Sequence, residues 1–315
     1  MRRMFCSAAV VSSWSPMLAV SCKYSFMLFQ TDISFFFANI RKFFCYISKN
    51  TFMKRNLITI IILSVLSCGC STMTVMTYNV GAFGKFSEDS AGEVAAMIGE
   101  VGARAVALNE LDSCNTRHGV FQAEHLADYL GGWEYSFGRA MPFAEGAYGN
   151  GVVTRDRIVR SYTIALPKGE GSEPRSCAVV ETPGYVLASV HLDHISSEAR
   201  ILQAGIVNER LVSEYGRTSK PVFLCGDFND TPESEPLAVF SEDWILLSDT
   251  SYSYSSQEPH KCIDYILALK NGARVKPLKS EVKDKFESGD VLHASDHLPV
   301  YVKVRILSPS LGTAR

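Results

Sequence analysis

Six apolar runs in this 315-residue chain give out into residues that can do chemistry. Asn79 follows Val75 to Tyr78, Asn109 and Glu110 follow Ala105 to Leu108, and His191-Leu192-Asp193-His194 follow Val186 to Val190. Gly226-Asp227-Phe228-Asn229 follow Phe223 to Cys225, Asp264 interrupts Cys262 to Leu267, and Ser295-Asp296-His297 precede Leu298-Pro299-Val300. Carboxylate and amide oxygens with water suit Mg²⁺ or Mn²⁺, and no thiolate cluster points to structural zinc. Histidines among acids add hydrogen bonds to phosphate and proton transfer. Together these types imply metal-assisted cleavage of a phosphate ester by water. The ion would offset charge on a phosphoryl oxygen, and a carboxylate or carboxylate-oriented histidine would position the nucleophile.

Such residues meet only if the runs lie side by side with their polar ends at one rim. Runs at 75–80, 105–108, 151–154, 158–165, 176–182, 185–191, 222–225, 263–268 and 298–304 are β-branched or aliphatic and bounded by Gly, Pro, Asp or Asn, which predicts strands. Helical spacing is confined to 90–99, 121–130 and 198–215, the last with Ile201, Ala204, Ile206, Val207 and Leu211 on one face. Many strands and few helices predict two packed sheets with helices outside, in one domain over about 73–307.

Charge divides the chain. Residues 1–70 carry +7 and residues 71–315 carry −9, and all seven histidines lie in the second part. An acidic body repels polyanions unless cations reverse its field, which argues against a dedicated DNA-binding protein. Met53-Lys54-Arg55-Asn56 followed by the apolar run Leu57–Ser67 and then Cys68 has the layout of an export signal too short to span a bilayer. Ser67-Cys68 resembles a bacterial lipobox, so Cys68 is the expected lipidation site, with the mature protein in the cell envelope, in the outer membrane or periplasm, or secreted. Residues 1–52 show no structural period, and translation is expected to begin at Met53. Cys114, Cys177, Cys225 and Cys262 have no paired spacing and read as free thiols.

The ordered motifs resemble the endonuclease/exonuclease/phosphatase superfamily of metal-dependent phosphoesterases, in its compact bacterial branch. The matching pieces are Thr77-Tyr78-Asn79-Val80, Leu108-Asn109-Glu110, Tyr148-Gly149-Asn150-Gly151, His191-Leu192-Asp193-His194, Gly226-Asp227-Phe228-Asn229, Ile263-Asp264-Tyr265-Ile266 and Ser295-Asp296-His297-Leu298-Pro299. They stand in the family's order across essentially all of 73–307. The resemblance implies a four-layer α/β/β/α sandwich of two mixed sheets. It implies metal ligation by Glu110, with Asn79 beside it and Asp296 contributing. Asp227 and Asn229 would position water or stabilise the pentacovalent phosphorus, with Asp227 as base; an older reading gives that role to His297 with Asp264. His297 would otherwise contact the scissile phosphate, and His191 would bind phosphate or help the leaving group depart. Asn150, Arg175, Asp193 and His194 are the implied substrate or phosphate contacts. Asn109 stands where most members have Gln, a shorter amide beside the metal-binding Glu.

Singly, several of these residues have ordinary explanations: Asn79 and Asn150 suit turns, and Asp227 suits an Asx-turn. Asp264 in an apolar run is harder to dismiss, since a buried carboxylate needs a partner. His118, His125, His260 and His293 lack motif context and read as surface or loop residues. Lys276, Lys279, Lys283 and Lys285 read as a solvated charged stretch, and residues 308–315 as a tail. Trp133, Tyr135 and Phe137 read as core, whereas Phe143 and Tyr148 fit either core or a substrate wall. The expected activity is an exported, Mg²⁺-dependent phosphoesterase, monomeric, acting on a small or lipid-derived phosphate ester. A secreted nuclease and a non-catalytic binding module are the alternatives. A metal-independent hydrolase lacks its Gly-x-Ser-x-Gly elbow.

Overall fold

The computed structural model describes residues 70–307. The leader at 53–70 up to residue 69, its Cys68, the preceding segment 1–52 and the tail 308–315 lie outside the described residues. The strands are β1 (Cys70–Asn79), β2 (Ala105–Ser113), β3 (Glu134–Phe143), β4 (Gly146–Thr154), β5 (Arg160–Leu166), β6 (Arg175–Glu181), β7 (Val186–His191), β8 (Val222–Asp227), β9 (Trp244–Leu246), β10 (Asp264–Leu269), β11 (Arg274–Val282) and β12 (Val300–Leu307). The helices are α1 (Ala91–Val101), α2 (Gln122–Tyr129), α3 (Ser197–Tyr215) and the single turns α4 (Glu235–Ala238) and α5 (Val291–Ala294). The strands form two six-stranded sheets, ordered β11-β12-β1-β2-β4-β3 and β5-β6-β7-β8-β10-β9. Both are mixed: β1 runs parallel to β2 and β7 to β8, whereas the other pairs are antiparallel.

Successive side chains of a strand point to opposite faces, so a strand covered on both faces reads as a continuous apolar run. In β1, Val75 enters the core between the sheets with Ala107, Leu187, Phe223 and Ile266, while Met76 and Tyr78 face Val94, Met97 and Ile98 of α1. In β8, Phe223 and Cys225 join that middle core, and Leu224 faces Ala204, Val207 and Leu211 of α3. Helix, sheet, sheet and helix thus make the four layers. Local signals fix the helix ends: Ser196 Oγ accepts from Ala199 N at the start of α3, and Gly102, at φ 66°, closes α1.

Sequence periodicity places the inner strands and all three long helices within a few residues. The edges β3, β9 and β11 escape it, because an edge strand needs no apolar alternation; the fourth edge, β5, is legible because Tyr162, Ile164 and Leu166 alternate with exposed residues. β11 is the stretch read as solvated charge; it is both solvated and a strand, with its register broken between Pro277 and Lys279. Lysines and a proline on an outer strand block further pairing. Cys114 is exposed, and Cys177, Cys225 and Cys262 are buried free thiols.

Gly226 sets the spacing of the two strands that carry the chemistry. It has φ 143°, and a Cβ there would overlap the Val190 carbonyl oxygen of the neighbouring strand. Gly226→Ala must therefore push β7 from β8 beside Asp227. Overpacking of this kind costs about 1–3 kcal/mol, occasionally more, so a clear drop in the urea midpoint is expected; an unchanged midpoint would contradict this packing.

Candidate active site

The site is built where strands of both sheets end. In one sheet, His191 at the end of β7 is in register with Asp227 at the end of β8, which pairs with Asp264 at the start of β10. In the other, Asn79 ends β1 in register with Asn109 of β2. Next to Asn109 the β2–β4 register breaks between Leu108 and Leu111, and Glu110 adopts φ 60°. A non-glycine residue in the left-handed region is held there by its surroundings. The bulge puts Glu110 on the wall of the pocket.

Buried amides bind the two sheets together beneath the site. Asn79 Nδ2 donates to Glu110 Oε1 at 3.0 Å and to Asp227 Oδ2 at 3.1 Å, joining an acid of each sheet. Asn109 Nδ2 donates to Val190 O at 2.8 Å, and its Oδ1 accepts the Asp227 backbone N–H at 3.0 Å. The shorter amide at 109 thus still fixes the strand end that carries Asp227.

Asp227, Asp264 and His297 form a buried cluster whose ligand atoms all lie within 4.8 Å of one another, an arrangement able to hold a metal ion. Asp264 Oδ2 accepts from Ser253 Oγ at 2.7 Å and lies 2.8 Å from His297 Nδ1. His297 Nε2 lies 3.6 Å, and His191 Nε2 3.5 Å, from Asp227 Oδ2. Burial works against charge on His297, but the carboxylates of Asp264 and Asp227 outweigh it and push its pKa up to about 10. Burial also raises Asp227, with Asp264 adding to the rise and His297 opposing it. His191 is driven well below its ordinary value, first by burial and then by the neighbouring positive charges of Arg175 and His297, so it is neutral near pH 7.

The donor set of the pocket has the character a hard divalent cation requires. Asp296 Oδ1 and Asp264 Oδ1 are buried carboxylate oxygens without a hydrogen-bond donor, a costly state that a bound cation relieves. Glu110 and Asp296 both face the same pocket. The residues present fit an oxygen-ligated ion.

The pocket has a volume of about 480 Å³. Glu110, His191, Asp227, Asn229, Asp296 and His297 line it, as do Arg175 and His194. Arg175 is 4% exposed, and its Nη2 lies 2.9 Å from His194 Nδ1. Asn229 contributes its wall position while its Nδ2 donates to Leu192 O at 3.0 Å. Two implied substrate contacts are placed elsewhere. Asn150 donates to Ser176 O at 2.7 Å and accepts from Asn109, so it joins the sheets. Asp193 accepts from Ile195 N, Ser196 N and Ser172 Oγ, so it ties the loop before β6 to the start of α3.

Phe143 and Tyr148 do line the pocket, with the Arg117 guanidinium 4.7 Å from the Phe143 ring centre. Arg117 and Lys85 are wall residues that carry no motif. Arg117 had an indirect signal in Asp112, a carboxylate on a strand without a local cation. Arg117 donates to both its oxygens at 2.8 Å, and His118 Nδ1 stands 2.6 Å away, so His118 has a partner although it lacks a motif. Burial would raise the Asp112 pKa, but these two partners outweigh it and lower it. Tyr254, its ring centre 4.9 Å from that of His297 and tilted 53° to it, completes the wall on a loop that no sequence pattern marks.

None of the curated proteins compared with the sequence matches it. Among solved structures, an endonuclease/exonuclease/phosphatase from Beutenbergia cavernae is 20% identical over 76% of this chain and 73% of its own, with a TM-score of 0.61. A mannosyl-6-phosphatase of Bacteroides thetaiotaomicron is 19% identical over 74% of this chain and 99% of its own, at a TM-score of 0.56. TDP2 of D. rerio, complexed with single strand DNA product, is 16% identical over 74% and 99%, at 0.58. At these identities the likeness is one of fold. The sequence itself matches the model of the Endonuclease/Exonuclease/phosphatase family over residues 76–297, well over half its length. With the motifs in order, both sheets in place and the acidic and histidine side chains gathered at one rim, the chain belongs to the endonuclease/exonuclease/phosphatase family.

Proposed function

We propose that the protein is an Mg²⁺- or Mn²⁺-dependent phosphoesterase that hydrolyses a small phosphate ester by direct attack of water. The observation that carries this reading is the pocket, where Glu110, Asp227 and Asp296 face Arg175, His191 and His297 in about 480 Å³. That volume suits a small-molecule site. Long duplex DNA is bound largely through cationic contacts to phosphates, and residues 71–315 carry −9. Charge and size, more than likeness, therefore favour a small or lipid-derived ester over nucleic acid.

Glu110, with Asn79 beside it, and Asp296 would hold the cation. When bound, it would supply positive charge against the phosphoryl oxygens. Because Asp264 and Asp227 keep His297 charged, its Nε2–H is a donor to phosphate and not a proton acceptor, which favours Asp227 as the base. Asp227 takes the proton of the attacking water as the water oxygen bonds to phosphorus. The ester P–O bond breaks, the leaving oxygen takes a proton from solvent water, and Asp227 releases its own to solvent before the next turnover. Arg175 and neutral His191 supply further donors to the phosphate. The aromatic wall of Phe143 and Tyr148 receives the leaving group.

In the same proposal the leader at 53–70 exports the enzyme, Cys68 anchors it by lipid, and the body is monomeric. Peptides from before Met53 in the native protein would contradict the leader. The substrate reading is tested with Mg²⁺ on a panel of sugar phosphates, inositol phosphates, sphingomyelin, small diesters and plasmid DNA. Turnover of a small or lipid-derived ester with intact plasmid is expected. Plasmid nicking as the fastest reaction would overturn the choice of substrate and make the protein a nuclease.

A further inference from the structure

Lys85 lies in the loop between the Gly81–Phe83 turn and α1, and its ammonium is aimed back into the strand-end site. Nζ is 2.8 Å from Asp296 Oδ2. Partial burial works against its charge, but the hydrogen bond to Asp296 and the charges of Asp296 and Glu110 outweigh it. The ammonium thus pairs with Asp296 in the pocket that Glu110 also lines, while Asp296 Oδ1 is buried without a donor. The turn makes room for this reach. A Cβ on Gly81, at φ 53°, would stand 3.2 Å from Lys85 Cβ and 3.6 Å from Asp296 Oδ1. The lysine stem passes over a bare glycine on its way to the acid. Its side chain is 43% exposed, so the ammonium can swing away without opening a packed core.

We infer that Lys85 is a built-in competitor of the metal ion: its ammonium holds Asp296 Oδ2 and its charge opposes the approach of an ion to the same carboxylate, so the ion binds most tightly once the ammonium has swung away. The inference rests on the proposed metal site at Glu110 and Asp296. Until displacement, the lysine offsets the repulsion between the two acids, so the site costs little to maintain without a divalent ion. Afterwards it stands in the pocket with its acidic partners taken, beside the position of the substrate phosphate. Binding of ion and anion then support one another, since whatever draws the ammonium from Asp296 favours the ion, and the converse holds by linkage.

The test is Mg²⁺ calorimetry on the full chain as wild type, Lys85→Gln, Lys85→Arg and Glu110→Gln, with circular dichroism to establish that each is folded. Loss of a partly exposed ion pair, and of a cation repelling the incoming ion, should tighten Mg²⁺ binding about tenfold in Lys85→Gln. Lys85→Arg, which keeps the charge, should stay within about threefold of wild type. Glu110→Gln should lose most of the binding. A folded Lys85→Gln that binds Mg²⁺ no more tightly than wild type would overturn the competitor role while leaving the metal site standing. A wild type without detectable Mg²⁺ binding at millimolar concentrations would overturn the metal site, and the lysine's role with it.

Discussion

Glu110→Gln is expected to lower turnover about a thousandfold, the several kcal/mol that a cation contributes to a phosphoryl-transfer transition state. The fold should scarcely notice. The glutamine Oε1 still accepts from Asn79 Nδ2, and the substitution removes a negative charge close to Asp227. Without Mg²⁺, the unfolding midpoints of variant and wild type should therefore nearly coincide. Addition of Mg²⁺ should raise only that of the wild type, because an ion that binds the native state stabilises it in proportion to its occupancy. Rates and midpoints from the same preparations check both halves. A variant retaining a tenth of wild-type turnover would remove Glu110 from the account.

Asp264→Asn should act through His297. The carboxylate lies 2.8 Å from Nδ1 and helps keep the imidazole charged against burial. Its amide replacement supplies no charge, so the His297 pKa falls. Loss of a positioned acid–base or phosphate-contacting group typically costs 10²–10⁴ in rate, and a fall of about that size in kcat is expected at pH 7. The sign of the pH effect follows from the raised wild-type value. Wild-type His297 holds its proton until pH approaches about 10, whereas the variant loses it at lower pH. The alkaline limb of the variant's rate profile should accordingly move to lower pH, and the defect should deepen from pH 6 to pH 9. A purely structural role for Asp264 would lower the rate equally at every pH.

Chemistry was most legible where it coincides with the end of an apolar strand. Asn79, Glu110, His191, Asp227, Asp264 and His297 each stand beside a run long enough to identify as a buried strand, and register then brings them together. Asn150 and Asp193 carry the same motif signals but serve the scaffold. An amide or carboxylate at a strand end can satisfy backbone groups as readily as substrate, and only the packing of β4 against β6, or of the loop before β6 against α3, decides which. Lys85 and Tyr254 were illegible for the opposite reason, and Arg117 was signalled only indirectly, through Asp112. They sit on loops with no period, and they reach the pocket because tertiary partners hold them: Asp296 for the lysine, Asp112 for the arginine, the His297 ring for the tyrosine. Of the four edge strands, β3, β9 and β11 escaped notice because strand pattern is a record of burial and an edge is only partly buried; β5 was legible because its buried residues alternate with exposed ones.

The central claim is metal-dependent phosphoester hydrolysis at the rim shared by the two sheets. It is tested most directly by following hydrolysis of whichever panel ester the wild type turns over, first with Mg²⁺, then after EDTA, then after Mg²⁺ is restored, with Asp227→Asn alongside. Turnover should vanish with EDTA, return with Mg²⁺, and be absent from the folded variant throughout. Hydrolysis that continues undiminished in EDTA, or that survives in Asp227→Asn, would contradict the account.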